Sequence, residues 1–422
     1  MLHSKKALMV LMLVALCVLA PVFANGQTES SNKEIELRWA SIWVGADSKA
    51  PAVEALVEEF NASHAGNIKV VIEPQPDYNA YEQKVRTSLA AGIAPADIFT
   101  IKLNPTTEQF YQSNLLMDFA KTMDSSWMSS FDSGSVVQST VDGQLKSLPM
   151  ENAILPIWYN MDAFRSAGVA AVPKTMDEMY DAFNKLKAAG IAPTSQMTGD
   201  TNAWTSMIWF SHLAVSLGGV DIWSKPFTDP AFVQAASILK DIIVNYSTAD
   251  AVGLGAGGSG GHFLAGRTAV FSNGPWYAGR ADLAETPFFG SIVIDGLPPA
   301  GATTGFMISR LQANICAAAT KDKAREAAIL EFLRFLTKPE SVARIAESSG
   351  AMFAIKNDYR PANVLQKQFY DIAAAASTTA FDLEAALGAE VTLEFAQQLG
   401  ALALGRITPE EFCALVDKKI ER

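Results

Sequence analysis

Between residues 35 and 101 the sequence switches back and forth between a two-residue and a 3.6-residue hydrophobic period, and this alternation restricts the fold more than any motif does. Ile35, Leu37 and Trp39 alternate with polar residues, as a half-buried strand requires. Pro51 then stands where its missing N–H costs a helix nothing, and Val53, Leu56, Val57 and Phe60 follow at helical spacing. "NIKVVIEP" (67–74) reads as a second strand, Tyr78 to Ala91 as a helix stopped by Gly92, and "ADIFTI" (96–101) as a buried third strand. Strands separated by helices predict a parallel sheet covered on both faces, with ligands at the carboxyl ends of its strands. The loops after Trp39 and Ile101 are therefore the first places to look for a site.

The chain then reads as a crossing to a second α/β unit. "AILPIWY" (153–159) is expected to be the crossing strand. Helices are expected near 175–189, capped by Thr175 and stopped by Gly190, and near 202–217 and 229–245, with a strand at 290–294. "GLPPAGATTG" (296–305) has the composition of a return linker, after which "FMIS" and "ANICAAA" resume a sheet. Helices follow at 321–336 and 338–348, and the tail reads as almost wholly helical, with Thr408 and Pro409 opening the last helix. The segment "GLGAGGSGG" (253–261) matches the dinucleotide pattern at Gly255, Gly257 and Gly260, but no strand leads into it. It reads as a flexible loop before a short helix.

Several function classes are excluded early. Lys5 and Lys6 precede an apolar stretch, Ala7 to Ala20, that ends in small residues near Ala24, the pattern of a signal peptide over 1–24. Leu16, before Cys17, is bulky where a lipoprotein cleavage site wants a small residue, so an exported, periplasmic protein is expected rather than a lipid-anchored one. The formal net charge of −11 opposes binding to nucleic acid or anionic lipid. Cys316 and Cys413, and His64, His212 and His262, lack metal-ligand spacing and give a zinc or serine hydrolase little to work with.

"GRTAVFSNGPWYAG" (266–279) places Trp276 and Tyr277 directly after a tight turn, where a ring is hard to bury. This stretch, "LPMENAILPIWYNMDAFRSAGVAAVPKTMDEM" (148–179), "FLRFLTKPESVARIAESSG" (332–350) and "GRITPEEF" (405–412) together resemble the family 1 extracellular solute-binding proteins of ABC importers, the maltose-binding type. The resemblance implies an α/β, two-lobe periplasmic-binding-protein fold of type II, each lobe a sheet flanked by helices and joined by hinge segments. It places the N-terminal lobe at 31–150 plus about 303–352 and the C-terminal lobe at 151–302 plus about 353–422. It also implies a monomeric, non-catalytic carrier, without cofactor or metal, that passes a carbohydrate to membrane permease subunits.

The resemblance further implies ligand contacts. Trp276 would stack on a sugar ring, although a tryptophan read alone is more often a core residue. Asp47, in the loop after the first strand, would accept from hydroxyls, and Trp43 would line the same lobe. Lys102 and Asn104 fall after "ADIFT", where the family has contacts. Glu151 or Asn152 supplies a polar contact, the choice between them being open. Trp204 is preferred to Trp209 as the cleft-facing tryptophan of its helix, and Phe306 joins the set at the start of the returning sheet. Phe381 and Asp382 occupy the stretch where maltose-binding proteins carry another stacking tryptophan, a departure that points away from a maltodextrin. Three other readings remain. A glycerol 3-phosphate or glycerol-phosphodiester carrier would need cations, for which Lys49, Lys102 and Arg267 are candidates. A sensory binding protein would look the same. A secreted glycosidase would draw a carboxylate pair from Asp47, Glu151 and Asp382.

Overall fold

The computed structural model describes residues 34–101 and 114–420. Lys102 and Asn104 lie outside the described residues. β1 (Ile35–Ser41) pairs in parallel with both β2 (Ile68–Pro74) and β3 (Ile98–Ile101), and the helices Ala50–Ser63 and Tyr78–Ala90 lie in the connections between them. The first helix buries Val53, Leu56, Val57 and Phe60, the stripe visible in the sequence. Each such side chain contributes roughly 1.5–3 kcal/mol when fully buried. The hairpin β4 (Thr140–Val141) and β5 (Gln144–Leu145) turns at Asp142-Gly143, whose φ angles of 50° and 75° suit a tight two-residue turn.

The second lobe is built on a four-stranded sheet in the order β10-β7-β9-β8, comprising β7 (Ile157–Asn160), β8 (Ala192–Thr194), β9 (Thr268–Ser272) and β10 (Ile292–Asp295). Against it lies the helix Trp204–Gly218, which is buried from Trp204 to Ser216, as a helix apolar on all sides must be. A third element set joins the lobes. β6 (Leu148–Ile154), β11 (Phe306–Ala317), β12 (Met352–Phe353) and β13 (Thr378–Phe381) complete a seven-stranded sheet with β1, β2 and β3. One hydrophobic core draws on Leu37 to Met150 and Ala313 to Ile355, and another on Ala153 to Ile308 and Leu383 to Val416. Among the described residues the chain thus passes between the two cores within β6, between Met150 and Ala153, within β11, between Ile308 and Ala313, and again between Ile355 and Ala380.

β11 is the strand both lobes share. Its first residues, Phe306–Ser309, pair with β13, and its last, Asn314–Ala317, pair with β3. Opposite β6 its register shifts between Leu311 and Asn314, beside the Ala313–Glu151 pair. Such an irregularity bends a strand and re-aims the side chains around it. Away from the strands, Arg86 reaches Glu390 at 2.6 Å and ties a helix of the first lobe to one of the second.

Three local expectations are corrected. "AILPIWY" is two strands: the Leu155 N–H makes the last bond to β11, at the Ile308 carbonyl, and Pro156 has no N–H with which to carry the ladder on. The tail contains β13, which forms because β11 offers it an open edge. The glycine-rich segment is mostly helical, spanning Ala256–Leu264 with Gly255 as its N-cap. Tertiary contact overrides low helix propensity there, since a Cβ on Gly260 would meet the Tyr277 hydroxyl at 3.0 Å and one on Gly255 the Asp200 carboxylate at 2.7 Å.

His212 is buried on the Trp204–Gly218 helix, and its Nε2 donates to the Leu155 carbonyl at 2.7 Å, beside the β6–β7 break. Burial pushes its pKa down to about 4, the bond to Leu155 opposing this only in part. The unfolded chain takes up this proton near the usual 6.5, so between pH 6.5 and 4 it binds more protons than the folded chain. Stability is therefore fully present above this window and is lost as pH falls through it, by up to about 3 kcal/mol. Thermal melts across this range should show a shallower pH dependence for His212→Gln than for the wild type. Parallel curves would mean that His212 titrates normally.

Candidate functional site: the cleft between the lobes

The end of β1 turns into the helix Ala50–Ser63 through an aspartate-anchored loop. Asp47 Oδ1 accepts from the Lys49 N–H at 2.9 Å, and the Asp47 carbonyl accepts from Ala50. This turn sends the Lys49 side chain inward, where its Nζ stands 3.3 Å from Asp47 and 3.4 Å from Glu151. Lys49 and Glu151 are almost fully buried, whereas Asp47 is about a third exposed. Desolvation is the largest influence on Lys49 and pulls its pKa down, but Glu151 and Asp47 together outweigh it and keep the ammonium charged. Desolvation also pushes the Glu151 pKa up, with Lys49 holding it partly down. Removing one partner of so buried a pair costs on the order of 3–5 kcal/mol, because the other charge is left stranded. Trp43, edge-on to Trp39 and to Phe353, walls the same loop.

The facing wall comes from the second lobe. Asp200 and Ala203 adopt left-handed backbone, φ 59° and 45°, and so bring Trp204 to the head of its helix. Holding non-glycine residues there costs energy and needs support. Asp200 Oδ2 supplies part of it by accepting from the Ala256 N–H at 2.7 Å. The Trp204 indole N–H donates to Asn273 Oδ1 at 3.3 Å. Asn273 ends its strand run, its carbonyl accepting from the Trp158 indole and its side chain from the Gly274 N–H. The chain then enters the 3-10 turn Pro275–Gly279, which carries Trp276 half-buried, with its ring 5.9 Å from that of Trp204 and tilted by 40°. A Cβ on Gly274 would lie 2.3 Å from the Trp276 ring. Glycine is therefore required by the ring folded back over it rather than by an unusual backbone angle.

Between these walls is a cleft of about 460 Å³, within the usual range for a small-molecule site. It is lined by Trp43, Asp47, Lys49, Glu151, Trp204 and Trp276, together with residues that sequence reasoning missed: Tyr78, Asp200, Thr201, Asn202 and Asn273. The run Asp200-Thr201-Asn202, separated from Trp204 by Ala203, was the available signal, a polar cluster at a helix entrance. Of the pair at 151–152, strand alternation turns Glu151 to the cleft while the Asn152 amide donates to Ser135 Oγ. Trp209 is wholly buried.

The remaining sequence candidates stand elsewhere. Phe306 borders a separate cavity of about 260 Å³ with His212 and Leu297. Phe381 is partly exposed and its carbonyl accepts from the Trp223 indole. Asp382 is completely buried, drawn away by the Arg310 guanidinium and by the helix it caps. Arg267 is exposed at the end of the Ala256–Leu264 helix and does not line the cleft. Among the described residues, no three histidine, cysteine or acidic side chains are grouped to hold a metal ion, and no helix is long and apolar enough to cross a membrane.

Comparison with known proteins agrees with this architecture. The chain is 27% identical over 238 residues to an ABC transporter extracellular-binding protein of Pyrococcus horikoshii, a match covering 53% of this chain and 52% of that protein. It is 25% identical over 376 residues to the sn-glycerol-3-phosphate-binding periplasmic protein UgpB of Rhizobium meliloti, covering 79% and 78%. A solved structure of a chitin oligosaccharide binding protein superposes with a TM-score of 0.83 at 21% identity, over 91% of this chain and 98% of that one. With residues 46–343 matching the model of the bacterial extracellular solute-binding proteins, the chain belongs to that family.

Proposed function

We propose that this protein is the exported binding component of an ABC importer, a monomeric carrier that closes its lobes on a neutral carbohydrate and delivers it to the permease subunits. The observation that carries this reading is the chemistry of the cleft: two indoles on one wall face a carboxylate-rich polar wall on the other. An aromatic face suits the C–H face of a pyranose, and ionised carboxylates accept from two hydroxyls at once. In this reading Trp204 and Trp276 stack, Asp47 and Glu151 accept hydroxyls, Lys49 donates, and Trp43 shapes the first-lobe wall. A ligand touching both lobes favours the closed state by its differential affinity, and closure removes the water that competes for its hydrogen bonds.

The likeness to a glycerol 3-phosphate binder makes that ligand the main competitor. The cleft argues against it. Among the described lining residues Lys49 is the cation, already shared by two carboxylates, and Asp200 adds a third. A phosphate placed there meets like charges at close range, which is unfavourable even in water. Hydrolysis is also poorly served, since Asp47 and Glu151 flank one ammonium and Asp382 is committed to Arg310. A sensory role would use the same capture step.

Isothermal titration of the chain lacking residues 1–24, unfolded and refolded to strip carried ligand, checks this against maltose, cellobiose, N,N′-diacetylchitobiose and glycerol 3-phosphate. One-site binding of a saccharide is expected, weakened about tenfold or more by Trp276→Ala. Binding of glycerol 3-phosphate alone would overturn the reading. Gly274→Ala, which forces the Trp276 ring aside, should also weaken saccharide binding and shift the tryptophan emission. An unchanged affinity in both variants would remove that ring from the site.

A further inference from the structure

Arg310 occupies an unusual junction. Its Nε and Nη2 donate to the two oxygens of Asp382, each at 2.7 Å, and Nη2 also donates to Glu384 at 2.9 Å. All three side chains are almost fully buried. The guanidinium carbon lies 5.2 Å from the centre of the Trp204 ring, within cation–π range. A buried ionic cluster is a weak source of stability compared with apolar residues of the same volume, so its location carries more information than its existence.

Three connections meet here. Arg310 pairs with Ala153 of β6 just before the register shift that begins at Leu311, so it is among the last regularly paired hinge-strand residues on the second-lobe side. Asp382 caps the helix Leu383–Leu387 by accepting from the Glu384 and Ala385 N–H groups, which anchors the cluster in the second lobe. Trp204, backed by the guanidinium, shares the cleft wall with Trp276.

We propose that Arg310 is a positioning residue: from the hinge strand it fixes the plane of the Trp204 indole, so that the stacking wall and the second-lobe half of the hinge move as one body. The part of this that concerns ligand affinity rests on the carbohydrate reading above; the coupling between Arg310 and Trp204 does not. Lysine cannot replace arginine here, because a point charge lacks both the planar face that stacks and the fork that grips Asp382.

The test is a double-mutant cycle read by near-ultraviolet circular dichroism of the ligand-free chain: wild type, Arg310→Lys, Trp204→Phe and the double variant. Arg310→Lys should alter the tryptophan bands in the wild-type background and leave them unchanged once Trp204 is phenylalanine. Equal effects in both backgrounds, or none in either, would overturn the proposal. Should Arg310→Lys not fold, the triple variant Arg310→Met, Asp382→Asn, Glu384→Gln removes all three charges and strands none, and enters the same cycle. In titrations with whichever disaccharide binds the wild type, Arg310→Lys should weaken affinity about tenfold, and much less in the Trp204→Phe background. A lowered melting temperature with unchanged affinity would mark a purely structural role and overturn the proposal. If the wild type binds none of the saccharides, the carbohydrate reading fails, while the spectroscopic cycle still decides on the coupling.

Discussion

The two lobes share one hydrogen-bonded strand. β11 pairs with β13 at its start, with β3 at its end and with β6 along most of its length, so neither lobe can turn without straining a ladder they hold in common. Buried backbone groups cannot be left unpaired cheaply, which confines the bending to places where the ladder is already irregular. Those places are the register shift at Leu311–Asn314 and the Leu155-Pro156 break between β6 and β7. Both flank the cleft: Glu151 stands opposite the shift, and Asn273 follows the strand that pairs with β7. The irregular points of the ladder and the cleft-lining residues are thus set by the same few strands.

Electrostatics reinforces that arrangement. Lys49 is carried inward by a turn that its own neighbour Asp47 organises, and there it meets Glu151 of the hinge strand β6. The pair joins the first-lobe loop to the hinge, as the Arg310–Asp382 pair joins the hinge to the second lobe. The first lines the cleft, where ligand hydroxyls would take over part of the solvation its groups have lost. The second is sealed behind Trp204, which suits it to fixing a side chain rather than to meeting a ligand.

Much of the frame was legible in the sequence because it depends on local periodicity. The stripes on 35–39 and 53–60 and the Thr175 and Thr408 caps reappear as a strand, a buried helix face and capping hydrogen bonds. Motif order singles out Trp276, Asp47 and the pair Glu151–Asn152, of which Trp276, Asp47 and Glu151 line one cleft. What escaped depends on partners distant in the chain. The four residues of β13 have no alternating pattern and exist as a strand only beside β11. Asp382 looks like a ligand-facing carboxylate until Arg310, 72 residues earlier, is placed against it. Asp200 and Asn273 reach the cleft through left-handed backbone and a side-chain cap, neither of which leaves a period to read.

A crystal structure of the protein with the tightest-binding disaccharide tests the central claim most directly. The expected result is a pyranose held between closed lobes, one face against Trp276 or Trp204, with hydroxyls in hydrogen-bond reach of Asp47 and Glu151. A ligand lodged instead in the cavity beside His212 and Phe306, or touching one lobe only, would contradict it.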